Sequence, residues 1–353
     1  MIQKRERIYL NIVKGTAILL MLWGHGIQYC AKDTFDVFEN DVYQFIYSFH
    51  MPLFMLLSGY LFFFSYRKRD LKTLLIHRTQ SMLQPIFFAT MLNNLLIELP
   101  TIVLHGEGRL TNGALLNGLY TLWFLWCVLS ASTAVAIAGK ATSNPWLRLL
   151  LIFAGTFLMI LFPEKNYHLY MYPYFVAGFY YGMYRDKIPG WVRKCAWLSL
   201  LVFPLMVTKY ESWHLIYASP VYYQGMDLLT CVKLNSFRWV IGFIGSLFIL
   251  VMIDAVLKLF YVEDRIPAPL RMLAVLGENS LAIYCISISL FSYYLSKCYD
   301  RFLLLMGRNI FVENMVMYNF VFTPALAIAA AWGLYLVVQI MKKMKIHNVI
   351  FGR

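Results

Sequence analysis

Charge is scarce in this chain, and its scarcity limits the class. Only 14% of the 353 residues are Asp, Glu, Lys or Arg, 60% are hydrophobic, and the mean hydropathy is +0.61, far from the balance of a soluble domain. The solvent for most of this surface is lipid. Long polar stretches are lacking too: at roughly 20 apolar residues per crossing, the length resolves into about ten spans with short loops. No room is left for a sizeable extramembrane domain. Paired cysteines are also missing. Cys30, Cys127, Cys195, Cys231, Cys285 and Cys298 stand singly, with no C-x-x-C and no histidine at zinc-finger spacing, so neither a disulfide framework nor a metal site is expected. No internal repeat is visible, which removes the inverted-repeat signature of many secondary transporters. The opening MIQKRER before an apolar run resembles a secretory signal. No small-x-small cleavage site follows and the run carries Lys14 and His25, so it reads as an uncleaved first helix.

Apolar stretches fall near 8–29, 43–65, 79–104, 118–138, 146–162, 169–184, 191–207, 237–258, 271–295 and 318–340, separated by charged or Pro/Gly-rich punctuation. The expected fold is therefore all-α, a polytopic integral membrane protein of about ten transmembrane helices, with residues 1–353 forming one transmembrane domain. The net charge of +13 suggests either nucleic-acid binding or membrane topology, and its distribution separates the two. With the N-terminus in the cytosol, 21 of the 31 Lys and Arg fall on inner segments and nine on outer ones, Arg238 among the latter, while Lys14 alone lies within a span. This is the positive-inside pattern, and it leaves no surplus for nucleic acid. An even number of spans puts both termini in the cytosol. The expected location is the inner (cytoplasmic) membrane, crossed many times. The longest outer loop, 208–236, carries Trp213, His214, Tyr217, Tyr222 and Tyr223, whose amphipathic rings suit the headgroup level.

Ionisable groups within spans cost a few kcal/mol or more and mark candidate sites. Lys14 and His25 are 11 residues apart, so on a helix they lie within roughly 20° of one face and about 16 Å apart along the axis. Asn11 shares that face. Lys14 serves either as a cationic anchor near the inner side or as a side chain snorkelling to the interface, and His25 either as a reactive imidazole or as a packing residue. His50, in the second span, stands equally between the two, and antiparallel neighbours would place it at a depth similar to His25. Pro52 frees a backbone carbonyl nearby. Ser58 and Gly59 read as a small pair for close helix approach. Glu98 and Asp254 sit near span ends, within reach of water.

The segments IVKGTAILLMLWGH (12–25), FIYSFHMPLFMLLSGYLF (45–62), LWFL (122–125) and GENSLAIY (277–284) together resemble the acyltransferase family 3 membrane proteins, especially the fucose 4-O-acetylase-like branch that acetylates saccharides. The resemblance covers nearly the whole chain. It maps the family's basic residue and histidine onto Lys14 and His25, implying His25 as catalytic base and acyl-CoA entering from the cytosol. The basic motif opening the third helix maps onto Arg78 and Pro85, with Met82 where a second arginine is expected. Asn11 replaces an aspartate, and Ser287 replaces a histidine.

The resemblance implies a membrane-bound O-acyltransferase that moves an acyl group, acetyl in that branch, from acetyl-CoA or another acyl-CoA to a saccharide or lipid-linked glycan. Acyl transfer to a hydroxyl needs a base, donors for the developing oxyanion and an electropositive anchor for the donor's phosphates. His25 suits the first role, with His50 as a second catalytic candidate that orients the acceptor. Lys14 and Arg78 suit an anionic donor, while Trp123, Asn279 and Tyr284 enter as lining residues by resemblance. No metal is needed. The competing class is a transporter or flippase for a glycan or its precursor, lined by the same charges, and a third is a membrane scaffold without turnover.

Overall fold

The computed structural model describes residues 4–31, 34–105, 119–162, 165–216, 225–261, 265–306 and 313–351, and among them the regular structure is helical. The main helices are α1 (Lys4–Ala31), α2 (Asp41–Tyr47), α3 (His50–Lys68), α4 (Leu71–His105), α5 (Trp123–Ala141), α6 (Pro145–Met159), α7 (Lys165–Tyr184), α8 (Gly190–Cys195), α9 (Ser199–Val207), α10 (Leu228–Phe260), α11 (Ala268–Glu278), α12 (Ser280–Ser289), α13 (Ser296–Met306), α14 (Thr323–Lys343) and α15 (Ile346–Phe351). Two π-helical segments, Leu290–Leu295 and Tyr318–Phe322, lead into α13 and α14.

All ten expected stretches overlap helical segments. Among the described residues, six are long and apolar enough to cross a bilayer: Lys4–Ala31, Asp41–Lys68, Trp123–Ala141, Gly190–Val207, Leu228–Phe260 and Met315–Lys343. A seventh arises if α11 and α12, which meet at 76°, form one broken span. α6 has 15 residues, or about 22 Å of rise, less than the roughly 30 Å hydrocarbon core. α4 is long enough, but Lys72, His77, Arg78, Asn93 and Asn94 dilute its apolar character. Seven of the 20 residues of α7 are tyrosine.

The second expected span is not one straight rod. The turn Ser48–Phe49 separates α2 from α3, and Pro52, which lacks the N–H that would bond back to residue 48, explains why the helix restarts there. The first bond of the new ladder runs from Leu53 N to Phe49 O at 2.8 Å. Elsewhere caps set the boundaries. Asn144 accepts from Trp146 N and Leu147 N at 2.9 and 3.2 Å ahead of Pro145, a polar cap followed by proline in the first turn.

The chain divides into two compact units. Unit 1 comprises residues 1–46, 84–122 and 260–353, and unit 2 residues 47–83 and 123–259. In unit 1, α1 packs on α11 and α14. In unit 2, α3 packs on α7, and α5 on α6 and α7.

One expected loop residue is relocated. Arg238 lies inside α10 and is fully buried, because the outer segment is shorter than 208–236. Its Nε donates to His214 O at 2.6 Å, and Nη2 donates to Trp213 O at 2.6 Å and Leu215 O at 3.2 Å. A buried guanidinium needs such acceptors, and three successive carbonyls of the preceding turn supply them. Of the other outer-loop aromatics, Tyr217, Tyr222 and Tyr223 lie outside the described residues, as do Lys32, Arg109, Arg308, Arg353 and the side chain of Glu98.

Candidate functional site

α1 is one uninterrupted helix of 28 residues, so Lys14 and His25 keep the shared face and the axial separation of about 16 Å. Both are partly accessible, whereas Ile12, Val13, Ala17, Ile18, Met21 and Leu22 are buried. The imidazole of His25 packs against Tyr29 and Phe291, with ring centroids at 5.9 and 5.8 Å, and bonds to the side chain of Gln28.

Phe291 belongs to the first π-helical segment, and the second also holds this part of α1. Trp23 Nε1 donates to Asn319 O at 3.1 Å and Thr323 Oγ1 at 3.0 Å, and the Tyr318 hydroxyl donates to Ile27 O at 2.7 Å. Thus the turn that carries His25 is fixed on both sides by segments with widened helical turns, a feature frequent at functional sites. Neither segment has a sequence signal beyond its aromatic content.

The Lys14 end is fixed by close backbone approach. A Cβ on Gly15 would collide with Leu273 O, and one on Gly277 with Asn11 O. The contact brings Asn11 Nδ2 to Glu278 Oε1 at 3.1 Å, so α11 places a carboxylate beside the position where α1 carries an amide. At the bend, Asn279 Nδ2 donates to Val275 O at 2.7 Å, satisfying a carbonyl that the interrupted helix leaves open, and Lys342 Nζ donates to Asn279 Oδ1 at 2.6 Å. Tyr284, partly accessible, follows within α12. Unit 1 therefore gathers Lys14, Asn279 and their neighbours Asn11, Glu278 and Lys342 near one helix crossing, with His25 three turns along α1. Sequence reasoning missed Glu278 and Lys342. The signal for Glu278 was its place between the glycine that permits the crossing and the asparagine that breaks the helix.

Unit 2 holds the remaining candidates, and they do not converge. His50 begins α3, only 2% exposed, with its ring 4.6 Å from that of Tyr47. Trp123 begins α5 and packs on Tyr167 at 4.7 Å; the neighbouring Phe124 touches Phe54, one turn beyond His50, at 6.0 Å. Arg78 stands at the other end of α3, its guanidinium 5.0 Å from the ring centre of Phe62, 12 residues or about 18 Å of helix beyond His50. A buried pair also went unseen: Ser130 Oγ and His168 Nδ1 are 2.7 Å apart, with Phe162 stacked on the imidazole at 4.8 Å. No group of three or more His, Cys, Asp or Glu suited to a metal occurs among the described residues.

The helices and the polar face of α1 define a multi-pass membrane protein with a basic residue and an imidazole aligned along its first span. The chain belongs to the acyltransferase 3 family, whose acyltransferase domain matches residues 7–344. It is similar to nodulation protein NolL of Mesorhizobium japonicum, 26% identical over 203 residues that cover 56% of this chain and 52% of that protein. It is also similar to NolL of Sinorhizobium fredii, 30% identical over 185 residues, covering 49% and 48%. The chain thus matches about half the length of these curated relatives. No solved structure matches it.

Proposed function

We propose that this protein is a membrane-bound O-acyltransferase that moves an acyl group, acetyl in the first instance, from cytosolic acyl-CoA to a hydroxyl of an exported or surface saccharide. In this reading ten helices cross the inner membrane and both termini are cytosolic. The observation that carries the proposal is the uninterrupted α1, which presents Lys14 and His25 on one face about 16 Å apart, a distance comparable to a pantetheine arm. Lys14 attracts the donor's phosphates from the inner side, and Arg78 is assigned to the donor for the fork that its guanidinium offers an oxyanion. His25 takes the proton of the acceptor hydroxyl as its oxygen attacks the thioester carbonyl. A C–O bond forms, the C–S bond breaks, and the coenzyme thiolate leaves and is protonated. Only the acyl group crosses the barrier. His50, Trp123, Asn279 and Tyr284 are assigned to orienting the acceptor and lining the path.

The test is acyl transfer by purified His25→Ala and His25→Gln variants that still bind acyl-CoA. General-base catalysis typically contributes about 10²–10⁴-fold, and both variants are expected to lose at least that much. Near-normal turnover by His25→Gln refutes the base assignment and favours transport of a glycan along the same path.

A further inference from the structure

In unit 2 the C-terminal ends of α3 and α5 and the N-terminal ends of α4 and α6 carry basic residues, and side-chain contacts link them to one another and to the C-terminal end of α7. Arg148, in the first turn of α6, donates from Nη2 to Thr142 O at 3.0 Å and from Nη1 to Met183 Sδ at 3.8 Å, while its Nε is buried with no hydrogen-bond partner among the described residues. Its guanidinium lies close enough to the hydroxyls of Tyr66 and Tyr180 to act on both electrostatically. The Tyr180 hydroxyl is likewise buried and unpartnered among the described residues, and its ring stacks on Tyr184 at 5.9 Å with planes 5° apart. Lys140 Nζ sits 4.4 Å from the centre of the Tyr66 ring. Phe62, 6.3 Å from Tyr66, carries the guanidinium of Arg78, whose Nε is a third buried donor without a partner among the described residues.

A snorkelling arginine leaves its donors in water. Here two guanidinium N–H groups and a phenol are withdrawn from solvent and left unsatisfied, a cost that a fold rarely tolerates unless a ligand meets them. Every unmet guanidinium group donates, the phenol can donate, and the formal charges that act on Arg78 and Tyr180 are those of Arg69 and Arg148. The missing partner is therefore an anion with several oxygens, for which arginine is the fitting residue.

We propose that Arg148 and Tyr180, with Lys140 at the rim and Arg78 alongside, form a built site for a phosphate group at the basic, cytosol-facing end of unit 2. Where that phosphate is taken to be the donor's, the proposal rests on the acyl-CoA reading above. An anionic lipid headgroup carries the same chemistry.

The experiment compares wild-type protein with Arg148→Gln, Arg148→Lys and Tyr180→Phe, each purified in monodisperse form. Each is titrated with coenzyme A by calorimetry and weighed by native mass spectrometry after extraction from membranes containing anionic phospholipid. Arg148→Gln is expected to weaken coenzyme A binding about tenfold or more, and Tyr180→Phe several-fold, with Arg148→Lys between wild type and Arg148→Gln. Tyr180→Phe removes an oxygen that bonds to nothing among the described residues, so thermal stability should be unchanged while affinity falls. Loss of bound anionic lipid from the variants, with coenzyme A affinity unchanged, keeps the phosphate site and assigns it to lipid. A wild type that binds no coenzyme A, while its variants lose lipid, keeps the site and removes the acyl-CoA donor. Unchanged coenzyme A binding and unchanged lipid retention in all three variants overturn the site and leave the donor reading standing.

Discussion

Each unit contains one helix crossing closed by a pair of glycines. In unit 1, Gly15 of α1 meets Leu273 O and Gly277 of α11 meets Asn11 O; in unit 2, Gly59 of α3 meets Phe175 O and Gly178 of α7 meets Leu56 O. Small residues let backbones approach where lipid offers no hydrophobic drive to bring helices together, so the fastening is the same in both. The surroundings differ. Beside the unit 1 crossing stand Asn11, Lys14, Glu278, Asn279 and Lys342, with side-chain hydrogen bonds joining Asn11 to Glu278 and Lys342 to Asn279. The unit 2 crossing is lined by aromatics, with Phe62 packed on Phe175 and Phe179 at 5.5 and 6.0 Å. Close approach alone does not make a site; it becomes one where the residues next to the glycines can move or hold charge.

The strongest way to break this comparison is to add one methyl group to each crossing. Gly277→Ala and Gly178→Ala both drive a Cβ into a carbonyl, and each should lower stability by about 3 kcal/mol, the upper range for overpacking, measured by thermal unfolding. At saturating acyl-CoA, only Gly277→Ala should also reduce transfer per folded molecule. An equal loss in Gly178→Ala would show that the aromatic crossing holds the reacting groups as well. A smaller effect is expected from His50→Ala, which removes a ring that is 2% exposed. We expect a stability loss of about 2 kcal/mol for the cavity, and a raised KM with little change in kcat if the imidazole orients the acceptor. A fall in kcat as large as that of His25→Ala would move the base into unit 2.

The smallest effect is a pH dependence confined to the outer turn of unit 2. Burial, and then the nearby Arg238 charge, lower the pKa of His214 from 6.5 to about 4, and its Nδ1 accepts from Glu211 N at 2.9 Å, as a neutral ring must. The unfolded turn takes up a proton below about pH 6.5 and the folded one does not, so the stabilisation is complete above 6.5 and declines as pH falls toward 4. Proteolytic protection of residues 210–216 should fall across that window, and His214→Gln should flatten the response. A rise in protection on acidification would reverse the sign and remove His214 as the cause.

The helices and the Lys14–His25 face were legible because apolar runs and a spacing of 11 residues are local properties. Gly59 as a packing residue was legible for the same reason. Arg238 was misplaced because a charge in sequence looks like a loop, and only the fold brings three carbonyls to it. Glu278 beside Asn11, separated by 267 residues, and Ser130 beside His168 depend on which helices touch. Neither the restart at His50 nor the π-helical turns follow from hydrophobic period, which registers faces and not the count of residues in a single turn.

That count has a consequence for how this protein can vary. A π-helical segment absorbs one extra residue in a single wide turn, so deleting one residue from Leu290–Leu295 would restore regular winding and leave the two flanks nearly in register. The widened turn that sets Phe291 against His25 would close up without any change to α1. The same deletion in an even α-helix such as α5 has no wide turn to absorb it and rotates everything beyond it by about 100°, whereas in this segment it acts on a wall of the site alone. Natural insertions and deletions should therefore be tolerated in the connections between helices and purged from this six-residue segment, which makes reading-frame-preserving single-codon deletions a direct genetic probe of it.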